Sequence, residues 1–242
     1  MIGLGTIINC LAVVAGGVLG ILFGKFLKPR LQDGLTKACG VSVLFIGVAG
    51  ALEKMLKVEG ETLTGSGTML LVGCLALGAL VGELLNIEAG FERFGEWLKK
   101  KTGNAKDGGF VDAFVSASFT VCIGAMAIVG AIQDGISGDW SVLGAKAVLD
   151  LIIIMVMTCA MGKGCLFSAI PVGILQGSVT VLATFLQPFM TETALWNLSM
   201  VGSVMIFAMG MNLIYGKKIH VGNMLPSLFV PVIYELVLML FC

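Results

Sequence analysis

Charge is scarce in this chain: Asp, Glu, Lys and Arg fill only 12% of its 242 positions. A soluble domain carries about 25%, so there are too few polar groups here to cover a surface facing water. Histidine is scarcer still. His220 stands alone on a polar loop, where solvation is its expected role. No HxxxH, CxxC, GxSxG or phosphate loop occurs, which leaves no pattern for a metal, a cofactor or a covalent catalyst. The chain is therefore not expected to be an enzyme. Formal net charge is zero, without the basic excess that nucleic acid requires. No basic residue precedes Lys25, whereas a signal peptide needs its charge ahead of the apolar run. The seven cysteines (Cys10, Cys39, Cys74, Cys122, Cys159, Cys165 and Cys242) lie in or at the ends of apolar runs. An odd set at that depth is no disulfide framework and reads as small packing residues.

What is abundant is apolar. Hydrophobic residues reach 57%, mean hydropathy is +1.02, and 34 glycines are present. The composition is that of an all-α polytopic membrane protein, one transmembrane domain over residues 1–242. About 20 apolar residues cross the hydrocarbon as a helix. Eight runs fit, near 2–24, 36–56, 67–86, 111–132, 141–161, 165–187, 195–215 and 223–241, with Asp112 at the interface. Charge placement agrees. Lys25, Lys28, Arg30, Lys37, Arg93, Lys99, Lys100, Lys101, Lys106, Lys163, Lys217 and Lys218 all fall on one side. Such a bias marks the cytoplasmic side, with both termini outside.

Within this frame 86–102 (NIEAGFERFGEWLKKKT) differs. Ile87, Phe91, Phe94 and Leu98 share a helical face, with Glu88, Glu92 and Glu96 opposite. The pattern predicts an amphipathic helix on the cytoplasmic surface. Residues 58–67 read as a short polar outer turn. Gly16, Gly20 and Gly24 form a small-residue strip that serves either close packing within the chain or a homodimer seam. Gly78 with Gly82, and Gly173 with Gly177, repeat it.

Several polar groups stand where the bilayer makes them costly. Lys146 and Asp150 are one helical turn apart and able to pair. Asp150 lies about 13 Å from the outer end of its run, and Gln176 about 17 Å from the inner end of the next. The Met161-Gly162-Lys163-Gly164 hairpin suggests that these two helices are neighbours, so that Asp150 and Gln176 converge. Pro171 breaks the second helix and frees a carbonyl, and Ser168 lies below it. Asn9, about 12 Å into the first run, either bonds to another helix or lines a cavity. Asp134 belongs to an acidic outer turn with Asp139, where it can draw cations inward, while Asp139 can cap the next helix. Glu235 is a third ionisable group in an apolar run and a candidate for the pathway. An inverted repeat of helices 1–3 and 6–8, at an offset of 162 residues, aligns Gly40 with Gly202, Phe45 with Phe207 and Thr6 with Ser168.

The runs Cys122–Gly130, Gln133-Asp134-Gly135, Lys146–Asp150, Phe167–Pro171 and Gln176-Gly177-Ser178 resemble the YdfK/YqgA-type bacterial inner-membrane family, known mainly as domain of unknown function 554. Gly3–Gly20 is similar to its amino terminus. Ala125 departs from the family pattern, where proline is expected, which implies a less broken fourth helix. The resemblance implies a polytopic inner-membrane protein and supplies no substrate. The residues suggest a secondary transporter or exporter of a small cationic or proton-coupled solute working by alternating access. A channel and a non-transporting scaffold or regulator remain alternatives, as does a purely structural Lys146–Asp150 pair.

Overall fold

The computed structural model describes residues 1–241 except Leu27, Glu61 and Gly124, and all of their side chains except those of Pro29, Val58, Glu59, Ala125, Phe189 and Leu238–Phe241. Cys242, and Gly124 of the motif noted above, therefore lie outside the described residues. The elements are α1 (Leu4–Gly24), α2 (Pro29–Met55), a β1–β2 hairpin (Leu56–Glu59, Thr62–Gly65), α3 (Thr68–Leu85), α4 (Ile87–Lys101), α5 (Phe110–Cys122) and α6 (Ala125–Ser137). There follow α7 (Ser141–Met161), a 3-10 turn (Lys163–Ser168) leading into α8 (Ala169–Val181), the short α9 (Ala183–Leu186) and a second 3-10 turn (Gln187–Phe189). The chain ends with α10 (Glu192–Tyr215), a third 3-10 turn (Val221–Leu228) and α11 (Val230–Phe241).

The protein is an all-α polytopic membrane protein. Among the described residues six helices are long and apolar enough to cross a bilayer: α1, α2, α3, α7, the turn-plus-helix Lys163–Val181, and α10. The fourth apolar run is instead a bent pair, α5 and α6, inclined at 61°. It is broken even though no proline stands there: Ile123 is extended, at φ −79 and ψ 123, and that ends α5. Counted as one span, the pair is the seventh. The eighth run is a 3-10 turn followed by a shorter helix. Pro226 sits inside the turn, and proline cannot continue an α-helical hydrogen-bond ladder.

The polar turn at 58–67 is a two-stranded hairpin, pairing Leu56 with Gly65 and Glu59 with Thr62. Gly60 opens its bend at φ 65, a conformation that costs glycine little.

Glycines decide which helices touch. α1 runs parallel to α7, and a Cβ on Gly20 would lie 2.6 Å from the Met155 carbonyl. Gly16 meets the Leu151 carbonyl and Gly24 meets Cys159. The strip is thus filled by α7 of the same chain and is not open as a seam for a second copy. α2 and α10 are antiparallel neighbours, with Gly40 against Leu213 and Gly47 against Ser203. Gly78 and Gly82 of α3 admit the backbone of Ser227 and Asn223. Phe110, Phe114, Ile154, Met157 and Met205 are fully buried among the helices. Outward stand Ile7, Leu11, Val72, Leu77, Leu80 and Leu84, all exposed, a surface suited to lipid rather than water.

α4 follows the predicted register but packs on protein. Phe91 lies 4.8 Å from Phe119 and Phe94 lies 5.8 Å from Phe114, centroid to centroid. Glu88, expected on the solvated face, is buried. It accepts the Gly222 N–H at 2.9 Å and pairs with Lys217 at 2.7 Å, while Asn223 accepts its own N–H. One of the orphan first-turn N–H groups of this helix, that of Glu88, is thereby satisfied by the far end of the chain.

A buried polar site between α1 and α7

Lys146 and Asp150 meet as their spacing requires. The ammonium donates to both carboxylate oxygens, at 2.7 and 2.6 Å. The two residues are 7% and 3% exposed, so the pair is enclosed by protein. Its neighbours come from other helices. Asn9, on the face of α1 turned to α7, sits beside the carboxylate. Cys122, the last residue of α5, lies close to both charges. The break after α5 thus falls at the level of the pair.

Gln176 does not reach the pair by the expected route. The hairpin joins α7 to α8 at its base, but above that base α8 packs on α1 and α6. Cys10 of α1 donates to the Ala169 carbonyl at 3.7 Å and faces Gly173, and Thr6 meets Thr180 at 3.4 Å. Gln176 lies between Gly173 and Thr180 on that same stripe. The physical reason is that a hairpin fixes only the ends of two helices, whereas the small faces of α1 let it wedge between them.

Both amide atoms of Gln176 are buried without a hydrogen-bond partner, whereas the buried Asn9 amide leans on the Asp150 carboxylate without reaching full hydrogen-bond geometry. Each unmade bond in a dry interior costs about 1–3 kcal/mol.

Asp134 is not in an outer loop. α6 continues to Ser137, and Asp134 is fully buried in its last turn. One carboxylate oxygen accepts the Gly5 N–H at 3.0 Å, closing the start of α1, and the other has no partner. An acid at a helix N-terminus is favoured by the dipole as well as by the bond. Asp139 is separate from it, exposed, and accepts the Ser141 N–H at 2.9 Å. That bond and the Ser141 hydroxyl hold its carboxyl below the usual range.

Ser168 and Pro171 take structural roles. The Ser168 hydroxyl donates to the Cys165 carbonyl at 2.7 Å. Pro171 stands in the first turn of α8, where a missing N–H loses nothing; the irregular backbone is the 3-10 turn before it. Glu235 lies on α11, which packs against α3, α10 and the adjoining turns, apart from the pair. Sequence reasoning missed Cys122, Thr6 and Thr180. Thr6, three residues before Asn9, and Thr180, four after Gln176, carry the helical spacing that could have shown them.

Broken helices around a buried ion pair, in a bundle with a lipid-suited exterior, define a polytopic membrane protein with an internal polar site. The chain belongs to the family described as "Protein of unknown function (DUF554)", which matches residues 4–236 and so spans the whole site. It is similar to the "Uncharacterized membrane protein YdfK" of Bacillus subtilis (strain 168), at 26% identity over 94% of this chain and 93% of that protein. The "Uncharacterized protein YqgA" of Escherichia coli (strain K12) is 30% identical over 93% of each. No solved structure matches the chain.

Proposed function

We propose that the protein is a secondary transporter that moves a small cationic solute across the bacterial cell membrane in exchange for a proton. The observation that carries this reading is an enclosed Lys146–Asp150 pair with the buried Asn9 amide of α1 beside its carboxylate, together with a buried, unpartnered amide, Gln176, on α8. A pair kept only for packing is often matched or bettered by apolar residues, and the orphaned Gln176 amide adds a further cost. Water or cargo that bonds these groups in the working cycle offsets it.

Elementary electrostatics supplies the exchange. A cation that binds Asp150 leaves Lys146 without its counter-charge. Lys146 then gives its proton to water, and the proton departs on the side from which the cation came. The fold supports alternation. α1 with α8, α2 with α10, and α3 with the Val221–Leu228 turn and α11 are each neighbours, and the close contacts run antiparallel. That arrangement is what a two-fold axis in the membrane plane produces from inverted repeats of helices 1–3 and 6–8, a frequent transporter build. In this reading the chain crosses eight times. Its basic face, which gathers Gly24, Tyr215, Lys217 and α4, is cytoplasmic, and both termini are outside.

Proteoliposomes carrying the purified protein and a luminal pH dye test the proposal against amines, amino acids and metal ions. Solute-dependent proton movement is expected, and Asn9→Leu and Gln176→Leu should abolish it while retaining the folded protein. Proton-coupled movement that survives in both variants refutes the site. Solute entry with no proton movement refutes the exchange, and single-channel current in planar bilayers refutes alternating access.

A further inference from the structure

A second site lies nearer the basic face. α2, α4, α5, the end of α7, α10 and the 216–221 loop line a half-open cavity of about 260 Å³. One water needs only about 10–15 Å³ of such space, so there is ample room for a small solute.

Most of its polar wall is already committed. Glu88 is held by Lys217 and by the Gly222 N–H, and Lys217 is shared with Glu92. The Asn212 amide donates to the Ile219 carbonyl at 2.7 Å and accepts from the N–H groups of Lys218 and Ile219. Thr36 gives its hydroxyl to the Gln32 carbonyl. Two lining groups are uncommitted within the protein. Asp112, exposed to solvent, makes no hydrogen bond or ion pair with the described residues, and the hydroxyl of half-buried Ser116, one turn further along the same face of α5, makes none either. The rest of the lining is apolar, including Phe119, Met209 and Leu213.

Glu88, Asp112 and Lys217 line this space; Lys217 is shared by Glu88 and Glu92, so the group is net negative and Asp112 has no cationic partner among the described residues. A single negative charge above an apolar floor fits an organic monocation. It fits neither a bare divalent ion, which demands several oxygen ligands, nor an anion. The position is suggestive too. Phe119 lies about 10 Å along α5 from Asp112 by the helical rise, and Cys122, beside the Lys146–Asp150 pair, is the next turn.

We infer that this cavity is a loading site for a small organic monocation, with Asp112 as its counter-charge and Ser116 as a hydrogen-bond acceptor. The site goes beyond the transport reading, because binding here does not require Asp150.

Isothermal titration of the full-length protein in nanodiscs tests it, with ethylammonium, butylammonium and tetramethylammonium as probes. Butanol, butyrate and magnesium ion serve as controls. Saturable binding of at least one ammonium ion is expected. It should weaken at least tenfold in Asp112→Asn and several-fold in Ser116→Ala, and remain within twofold in Glu53→Gln, an exposed carboxylate that lines neither site. Absence of saturable ammonium binding overturns the inference, as does equal binding of butanol. So does magnesium binding that alone depends on Asp112. An Asp112→Asn protein that melts lower but binds equally well reduces Asp112 to a charge at the start of α5, and also overturns it. Binding without flux in liposomes leaves this site standing and counts against transport; flux without binding does the reverse.

Discussion

Replacing Lys146 with methionine removes the partner of a carboxylate that is 3% exposed and bonded through both oxygens. The charge left behind has no water to turn to, so the folded state neutralises it. Taking a carboxylate of ordinary value about 3.9 to its neutral form at pH 7 costs about 4 kcal/mol, and taking a lysine of about 10.4 to its neutral form costs about 4.5 kcal/mol. Both agree with the 3–5 kcal/mol typical when one partner of a buried pair is lost. The two single variants therefore lose similar stability at pH 7, but with opposite dependence on pH. In Lys146→Met the folded state holds one more proton than the unfolded state, so stability rises as pH falls, by about 1.4 kcal/mol per unit, and levels off near pH 4. In Asp150→Leu the unfolded state holds the extra proton, so stability rises with pH at the same slope, up to about pH 10. The double variant, Lys146→Met with Asp150→Leu, has no charge to neutralise. It should be flat across this range and equal to the parent or more stable, by up to about 4 kcal/mol. Unfolding in mixed micelles from pH 5 to 9, followed by circular dichroism, reads all three. Single variants within about 1 kcal/mol of the parent, with no slope, would mean that the charges are hydrated, and the enclosed pair would be refuted.

Two further outcomes follow from packing and from the loop clamp. Gly20→Leu drives a side chain against the Met155 carbonyl and Thr158 and should cost about 1–3 kcal/mol or more, whereas Gly177→Ala, with nothing within 4 Å, should gain up to about 1 kcal/mol from helix propensity; melting temperatures of the two variants must move in opposite directions. Partial burial works against the Lys217 charge, but its bonds to Glu88 and Glu92 prevail and hold it above the ordinary lysine range. Its contribution is complete below the unfolded value of about 10.4 and is lost as pH rises through the folded one, so proteolysis at residues 103–109 should accelerate only above that pH in the parent and already at pH 7 in Lys217→Met.

Features set by one helix were legible before any coordinates. Lys146 and Asp150 are i and i+4, so their bond needs only α7 to be helical. The face of α4 that carries Phe91 and Phe94 was likewise readable from spacing. Features set by two helices were not. The Gly16 and Gly20 strip says that something approaches closely, yet nothing in its spacing names α7. The hairpin at Lys163 pointed to α8 as the partner of the pair, and α1 took that place. Asp134 looked like a loop acid because its apolar run ends near Ile132. It is tolerated inside α6 because the N–H of Gly5, a residue 129 positions away, meets it. Glu88 was assigned to water for the same reason, since the Gly222 N–H and Lys217 that hold it lie at the far end of the chain.

The placement of both charges on one helix constrains how the site can work. A rocking motion carries α7 as a body, and an i, i+4 bond moves with it unbroken. Reorientation alone therefore cannot separate Lys146 from Asp150; it can only change which groups of α1 and α5 stand beside them. In the proposed transport cycle the empty protein would then reorient with its charges mutually cancelled, while release of either charge would need a competing ligand at Asp150. Asn9 is a polar neighbour from a second helix, and its amide lies beside the carboxylate. In the proposed cycle it is the group through which cargo at Asp150 would be felt by α1, and through Thr6 and Cys10 by α8.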